Sequence, residues 1–128
     1  MILLLDTHLL LWAAGQPDRL SMAAQSLILA EEHELMFSAA SIWEITIKRG
    51  LGRSDFLVDP ALLRRGLLEN GYSELAITGR HALAVERLPE LHRDPFDRIL
   101  VAQAFEESVL LLTSDAQVAR YPGPFRLV

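Results

Sequence analysis

Two apolar runs, each ending at an aspartate, constrain the fold of this chain more than any other feature. Residues 1–5 (MILLL) lead directly to Asp6, and residues 109–114 (VLLLTS) lead to Asp115. A short run of this kind is typical of a strand that is buried on both faces of a parallel sheet. Functional side chains of such sheets lie beyond the carboxyl ends of the strands. The sequence therefore predicts that Asp6 and Asp115 lie at one edge of a parallel sheet.

Strands and helices are predicted to alternate between these two runs. Asp59-Pro60 and Asp94-Pro95 each combine a capping aspartate with a proline at the first helical position, which marks a helix start. Alternation implies right-handed crossovers and a mostly parallel sheet with helices on both faces, so the expected fold class is α/β. The other strands are expected at residues 35–37, 75–77 and 125–128, and the helices at residues 8–14, 21–32, 39–49, 60–70, 79–87, 95–105 and 115–120.

The length and composition fit one domain over residues 1–128. A chain of 128 residues is too short for two domains of typical size. Its 51% hydrophobic residues are enough to form one core. The absence of cysteine removes disulfides, zinc–thiolate sites and thiol catalysis. No stretch approaches the roughly 18 apolar residues that cross a bilayer, and no secretory signal is visible, so a cytoplasmic location is expected.

Two further acids, Glu44 and Asp97, fall in the early turns of apolar helices and are predicted at the same edge as Asp6 and Asp115. Four carboxylates at one place repel each other unless a cation lies between them. Their oxygens suit a hard divalent cation such as Mg²⁺ or Mn²⁺. Nucleic-acid binders are normally basic. Setting the four candidates aside leaves 13 acidic against 12 basic residues, so the net charge of −5 neither implies nor excludes a nucleic-acid substrate.

Glu44 also has two structural interpretations. It lies three residues after Ser41, the spacing of a capping box, and four residues before Lys48, the spacing of an ion pair on one helix face. Ser38 is an equally good cap for the same helix. If the helix begins after Ser38, Glu44 lies in its second turn and is not needed as a cap.

The aspartates have structural interpretations as well. Asp6 and Asp115 are each placed to cap the helix that follows, and Asp97 lies in a first turn, where the helix dipole favours an acid. Asp94 is interpreted as a cap rather than a metal ligand. The histidines show no zinc-ligand spacing, so structural or solvated positions are expected for His8, His33, His81 and His92. Core or interface positions, rather than roles as base-stacking platforms, are expected for Trp12 and Trp43.

Four segments together resemble the PIN domain, and more narrowly the VapC-type toxins of bacterial type II toxin–antitoxin pairs. They are residues 5–12 (LDTHLLLW), 38–45 (SAASIWEI), 92–98 (HRDPFDR) and 112–115 (LTSD). The resemblance covers essentially the whole chain in order and spacing. It implies a compact α/β/α sandwich with a mostly parallel sheet of about five strands, metal-dependent endoribonuclease activity, a homodimer and a small cognate antitoxin that blocks the site.

The acids of that family match Asp6, Glu44, Asp97 and Asp115 in this sequence. The resemblance implies that Asp6 and Asp97 contact Mg²⁺ or Mn²⁺ directly, and that Glu44 ligates the metal or orients the attacking water. Asp115 would act at a second metal or through water. Hydrolysis of an RNA phosphodiester by activated water would leave 5′-phosphate and 3′-hydroxyl ends.

Four neighbouring residues are expected to support these acids. Thr7 and Ser114 match small hydroxyl residues of the family and would hydrogen-bond a carboxylate or a phosphate oxygen. Arg98 would contact phosphate or form a surface ion pair. Asp94 would be a helix cap or an outer ligand of the metal.

A partner surface is expected on the first two helices. Residues 8–12 and 20–29 carry more leucine than a small core absorbs, and an exposed apolar patch of several hundred Å² is unusual unless a partner covers it. The resemblance implies that the antitoxin lies there. The alternative is that most of these leucines pack against the sheet.

Two other functions fit parts of the sequence. One is phosphotransfer with an aspartyl acceptor, but a haloacid-dehalogenase-like site needs a second aspartate where His8 stands. A receiver-like site needs its acceptor at the end of the third strand, where this chain has Ile77-Thr78. The other is a non-catalytic PIN-like binding module, which has no need to keep all four acids.

Overall fold

Strands and helices alternate along the chain in the computed structural model, which describes residues 1–91 and 93–128. A short 3-10 helix, Pro17–Arg19, joins the first two α-helices. The elements in chain order are β1 (Ile2–Leu5), α1 (Thr7–Gly15), α2 (Met22–Leu29), β2 (Glu34–Ser38), α3 (Ala39–Gly50), α4 (Pro60–Glu69), β3 (Ser73–Leu75), α5 (Gly79–Val85), α6 (Pro95–Glu107), β4 (Leu110–Thr113), α7 (Ala116–Ala119) and β5 (Phe125–Leu127).

These strands form one sheet in the order β3-β2-β1-β4-β5, and every neighbouring pair is parallel. The chain proceeds from β1 to β2 and β3 on one side, and then adds β4 and β5 on the other. The direction of winding therefore reverses between β1 and β4. The carboxyl ends of these two strands flank the crevice in which open α/β sheets bind ligands. The predicted α/β fold with a parallel sheet of about five strands is confirmed.

Alternate residues of the central strand separate two apolar layers. Leu3 and Leu5 pack with residues of α1, α2 and α4, whereas Leu4 packs with residues of α6 and α7. Complete burial of each leucine contributes about 1.5–3 kcal/mol. The layers give the α/β/α sandwich that the resemblance implies, and the single nuclease domain over residues 1–128 stays a prediction that fits them. Of the helices in the described ranges, none is long and apolar enough to cross a membrane.

The sequence signals for helix starts correspond to observed caps. Asp59 accepts the Ala61 N–H at 2.9 Å, and Asp94 accepts the Phe96 N–H at 2.8 Å, each with proline at the first helical position. Ser21 caps α2 in the same way. These local bonds set the directions of α2, α4 and α6 before any long-range contact is considered.

Two element boundaries differ from the predictions. The third strand ends at Leu75 rather than at residue 77, because Thr78 and His81 form a capping box at the start of α5 and the chain leaves the sheet before it. Helix α2 ends at Leu29 rather than at residue 32. A turn closed by the His33 N–H and the Ala30 carbonyl at 3.2 Å directs the chain into β2.

Candidate active site

Asp6 lies at the carboxyl end of β1, in the crevice beside β4. It is only 5% exposed. Its Oδ1 accepts the Leu9 N–H at 2.9 Å, so Asp6 caps α1. Its Oδ2 accepts the Thr113 hydroxyl at 2.6 Å and the Ser114 N–H at 3.1 Å. Asp6 is therefore a helix cap and, at the same time, a carboxylate held at the predicted edge of the sheet.

Thr113 connects the two sides of this crevice. Its hydroxyl donates to Asp6 and accepts the Asp115 N–H at 3.0 Å. Asp115 is half-buried and caps α7 by accepting the Gln117 N–H at 2.8 Å. The aspartates that follow β1 and β4 thus lie at the same edge of the sheet, as the two apolar runs predict.

Glu44 reaches the crevice from α3. Ser38 caps this helix with its hydroxyl, so Glu44 lies in the second turn and the capping-box interpretation with Ser41 is wrong. Glu44 is 3% exposed, and its Oε1 accepts the Thr7 hydroxyl at 2.7 Å. Because Thr7 directly follows Asp6, this hydrogen bond brings Glu44 beside Asp6.

Lys48 holds the other oxygen of Glu44. Its Nζ donates to Glu44 Oε2 at 2.5 Å, which is the ion pair indicated by the four-residue spacing. The ammonium lies 4.9 Å from the centroid of the Phe56 ring and 5.8 Å from that of Phe96. Cation–π contacts of this kind contribute about 0.5–2 kcal/mol. A divalent cation at Glu44 therefore has to compete with a cation that the chain itself supplies.

The start of α6 packs against α3 next to Glu44. The rings of Phe96 and Trp43 meet edge to face, with centroids 5.3 Å apart. Asp94 fixes the first turn by accepting the N–H groups of Phe96 at 2.8 Å and of Asp97 at 3.4 Å. Half-buried Asp97 is thereby carried to the part of the molecule that holds Glu44, rather than to its opposite side.

The supporting residues contact their neighbours in ways that the sequence only partly indicates. The expected hydrogen bond between Ser114 and a carboxylate exists, but a backbone N–H makes it. Arg98 donates from Nη2 to the Val85 carbonyl at 3.0 Å, which ties α6 to α5. The phosphate contact and the surface ion pair of Arg98 both stay predictions. His92, the first residue of the matched segment 92–98, lies outside the described residues.

Burial dominates the electrostatics of Asp6. Desolvation raises the pKa of this carboxyl, and hydrogen bonds from Thr113, Leu9 and Ser114 oppose that rise only in part. A buried carboxylate in this condition is stabilised by a nearby cation. The four acids offer oxygen ligands only, so their chemistry fits Mg²⁺ or Mn²⁺. Within residues 1–91 and 93–128, however, no group of three acids or histidines already forms a metal-binding cluster.

Two polar residues that organise the acids have weak sequence signals. Thr113 has the pattern of a strand end, and only the position of a threonine at the end of an apolar run, just before a candidate acid, points to a site role. The Ser41 hydroxyl lies 2.9 Å from that of Thr7, within the same buried group as Glu44. Its sequence pattern indicates a helix cap, so nothing local reveals this contact.

Phe56 anchors the loop between α3 and α4 beneath Lys48. Its ring is fully buried and meets the His8 ring with centroids 5.7 Å apart.

Phe56→Ala is expected to lower the free energy of unfolding by about 3–5 kcal/mol, because the lost phenyl group leaves a cavity. Chemical denaturation measures this. Leu57→Ala is the matched control, since Leu57 is 73% exposed. Its effect should stay within about 0.5 kcal/mol. Equal losses for the two variants would contradict the anchoring role.

Comparisons with known proteins agree with this fold. The PIN domain model matches residues 3–124. Ribonuclease VapC22 of Mycobacterium tuberculosis is 33% identical over 126 residues, covering 94% of each chain. The fold is also similar to a structure of VapBC2 from Rickettsia felis bound to a promoter DNA fragment, with a TM-score of 0.73, 17% identity and coverage of 99% of this chain and 98% of that one. VapBC-1 from nontypeable Haemophilus influenzae gives a TM-score of 0.63 with 17% identity and the same coverage. The chain therefore belongs to the PIN-domain family, within the group of VapC ribonucleases.

Proposed function

We propose that this protein is a metal-dependent endoribonuclease that acts as the toxin of a toxin–antitoxin pair. One observation supports this proposal most directly: two threonine hydroxyl groups hold acids together at the crevice between β1 and β4. Thr113 links Asp6 to the backbone of Asp115, and Thr7 links the Asp6 segment to Glu44. The identity of 33% to a named ribonuclease supports the same reaction.

Asp6, Glu44, Asp97 and Asp115 would hold Mg²⁺ or Mn²⁺ through their carboxylate oxygens. The bound cation would bring the pKa of a water towards neutrality and so supply hydroxide as the nucleophile. Glu44, whose Oε1 accepts the hydroxyl of Thr7, would ligate that cation or orient the water. Attack forms a new P–O bond and breaks the bond to the 3′ oxygen, which leaves as a hydroxyl after taking a proton.

The geometry of Asp6 argues against the phosphotransfer alternative. Its Oδ1 accepts one backbone N–H, and its Oδ2 accepts a second N–H and a hydroxyl. A phosphoryl acceptor has to present an oxygen to the donor, whereas this carboxylate is 5% exposed. Labelling of Asp6 by a small phosphodonor would restore that alternative.

Analysis of the product ends tests the reaction. Cleavage of RNA in Mg²⁺ is expected to give 5′-phosphate and 3′-hydroxyl ends, because the nucleophile is water rather than the neighbouring 2′-hydroxyl. Ligation of an adaptor that requires a 5′-phosphate, followed by sequencing, measures this. Products with 2′,3′-cyclic phosphates would show attack by the ribose and contradict the proposed chemistry.

An apolar groove of about 1420 Å³ along α1, α2 and α4 is the proposed antitoxin site. Trp12, Leu57 and Leu62 are among its lining residues, and Leu57 and Leu62 are exposed. Exposed apolar surface of this kind is unusual unless a partner covers it. The similar solved structures are VapBC complexes, which supports an antitoxin as that partner.

Leu62→Asp is expected to weaken inhibition by the cognate antitoxin by about tenfold or more, because an unpaired carboxylate would be buried in an apolar interface. Titration of the antitoxin against ribonuclease activity measures this change. Leu83→Asp is the control, because Leu83 is 70% exposed on α5, outside the groove. Unchanged inhibition of the Leu62→Asp variant would indicate that the antitoxin binds a surface other than this groove.

Two further parts of the proposal concern assembly and location. We propose a homodimer, which sedimentation velocity tests directly. We also propose a cytoplasmic site of action, where the chain would meet its RNA substrate.

A further inference from the structure

We propose that Trp43, braced by Phe96, is a stacking platform for an unpaired base of the RNA substrate. This inference rests on the proposed ribonuclease function and names how that site receives its substrate. Trp43 is 58% exposed, whereas the next residue on the helix, Glu44, is 3% exposed. The two side chains leave the helix in different directions, so the position of the indole relative to the site depends on what its ring contacts.

Both rings of the platform are neighbours of the acids in sequence and in space. Trp43 directly precedes Glu44, and Phe96 directly precedes Asp97. The ring centroids of Trp43 and Phe96 are 5.3 Å apart, and the Phe96 centroid is 5.8 Å from the Lys48 ammonium that pairs with Glu44. These contacts place the indole near the rim of the carboxylate crevice. A nucleotide whose phosphate lies at the acids has its base within reach of this rim.

The ring geometry leaves a surface for a base. The Trp43 and Phe96 planes are inclined by 74°, an edge-to-face arrangement. In such a pair, the edge of one ring meets one face of the other. Phe96 therefore covers at most one face of the indole, and at least one face is not covered by this partner. An aromatic face is what an unpaired base needs for stacking, whatever its identity.

Positive charge lies next to the same rings. The Lys48 ammonium is 5.8 Å from the centroid of Phe96 but already pairs with Glu44, so Arg49, exposed at the following position of α3, is the cation that would follow the phosphates. Sites for single-stranded nucleic acid combine aromatic platforms with cationic groups that follow the phosphates. The chain supplies both within two turns of one helix, although its net charge is −5.

A second copy of the chain is the alternative occupant of this surface. Ile47 and Leu51 are 37% and 74% exposed and follow Trp43 at helical spacing. Stable interfaces bury on the order of 1,200–2,000 Å². Trp43, Ile47 and Leu51 alone do not supply that area, and the exposed polar residues Thr46 and Arg49 lie between them. The contact of Trp43 with Phe96, next to the Lys48–Glu44 pair, favours the base.

The first measurement uses tryptophan fluorescence. Trp12 and Trp43 are the two tryptophans of the chain, so Trp12→Phe leaves Trp43 as the single reporter. Asp6→Asn is added to prevent cleavage, and single-stranded homopolymers of each of the four RNA bases are titrated in Mg²⁺. All four are expected to quench the Trp43 emission, because stacking needs a π-face rather than a particular base edge. An abasic ribose-phosphate oligomer should bind without that quenching.

The second measurement compares affinities. Trp43→Ala should bind the homopolymers about tenfold more weakly, and Trp43→Phe should recover most of the loss because a phenyl ring still stacks. Ile47→Ala, a matched change of an exposed apolar residue on the same helix, should bind like the parent protein. In the active enzyme, Trp43→Ala should raise KM about tenfold with kcat within a factor of about two. On the abasic oligomer, Trp43→Ala and its parent should be equal.

Three outcomes would overturn the platform. Equal RNA affinity and equal KM for Trp43→Ala and its parent would show that Trp43 does not stack on the substrate. The ribonuclease proposal would stand if cleavage still depended on Asp6. Dissociation of a dimer by Trp43→Ala, with unchanged RNA affinity per protomer, would assign the indole to a second copy of the chain. Failure of the wild-type protein to bind or cleave RNA would remove the ribonuclease function and the platform together.

Discussion

Asp6→Asn is expected to lower kcat/KM for RNA cleavage by about 1000-fold or more, because an amide is a much weaker ligand for the cation that activates water. The fold should persist. In this variant the side-chain NH₂ group faces an N–H or O–H donor where a carboxylate oxygen had accepted a hydrogen bond. This mismatch lowers the free energy of unfolding by about 1–3 kcal/mol. Removal of the negative charge offsets part of this loss of stability. Burial raises the pKa of the Asp6 carboxyl and so disfavours its ionised form in the folded chain. Cleavage rates and denaturation curves of the purified variant measure both effects.

A matched variant separates this effect from a general loss of negative charge. Asp18→Asn makes the same chemical change at an exposed position of the 3-10 helix that lines the groove along α1, α2 and α4 rather than the crevice, and should cleave RNA like the parent protein. Undiminished cleavage by a folded Asp6→Asn variant would remove Asp6 from the mechanism. A similar loss in both variants would indicate that net charge, rather than the crevice, controls the rate.

Removal of divalent cations is expected to have an effect of the same size. Dialysis against EDTA should reduce cleavage by about 1000-fold or more, and added Mg²⁺ or Mn²⁺ should restore it. Stability should respond as well, because a cation that binds only the folded chain stabilises it by about 2.7 kcal/mol at a concentration of 100 times its Kd. Rate measurements and thermal unfolding with and without Mn²⁺ test the two effects independently.

The stability effect has its own control. Mn²⁺ should not raise the unfolding temperature of Asp6→Asn, whereas Na⁺ at matched ionic strength should not raise that of the wild-type protein. Cleavage that survives exhaustive chelation would identify a metal-free ribonuclease. If wild-type protein cleaves RNA but its unfolding temperature does not respond to Mn²⁺, the catalytic cation binds outside this crevice.

The positions of Asp6 and Asp115 could be predicted because local patterns determine them. Fully apolar runs specify buried strands, and a parallel arrangement brings the ends of those strands to one edge. The caps at Asp59 and Asp94 are equally local, since each aspartate bonds to an N–H within three residues. Elements governed by such short-range rules are therefore the ones that the sequence predicts correctly.

The contacts that hold the acids could not be predicted, because they join distant parts of the chain. Thr113 and Asp6 are 107 residues apart, and Thr7 and Glu44 are 37 apart. Their hydrogen bonds depend on the register between β1 and β4 and on the packing of α3 beside β2. Trp43 is a similar case. Its sequence pattern favours a core or interface position, whereas its exposure depends on where α6 meets α3.

The pairing of β1 with β4 has a consequence for how the protein is made. A ribosome produces residues 2–5 first, but their neighbours at residues 110–113 follow only after more than a hundred further residues. Until then, the Asp6 side chain lacks the two donors to its Oδ2. The crevice therefore cannot be completed while the nascent chain is shorter than 115 residues, because Asp115 is one of its acids. Translation itself therefore includes an interval in which the first half of this nuclease is already made but its crevice is still open on the β4 side.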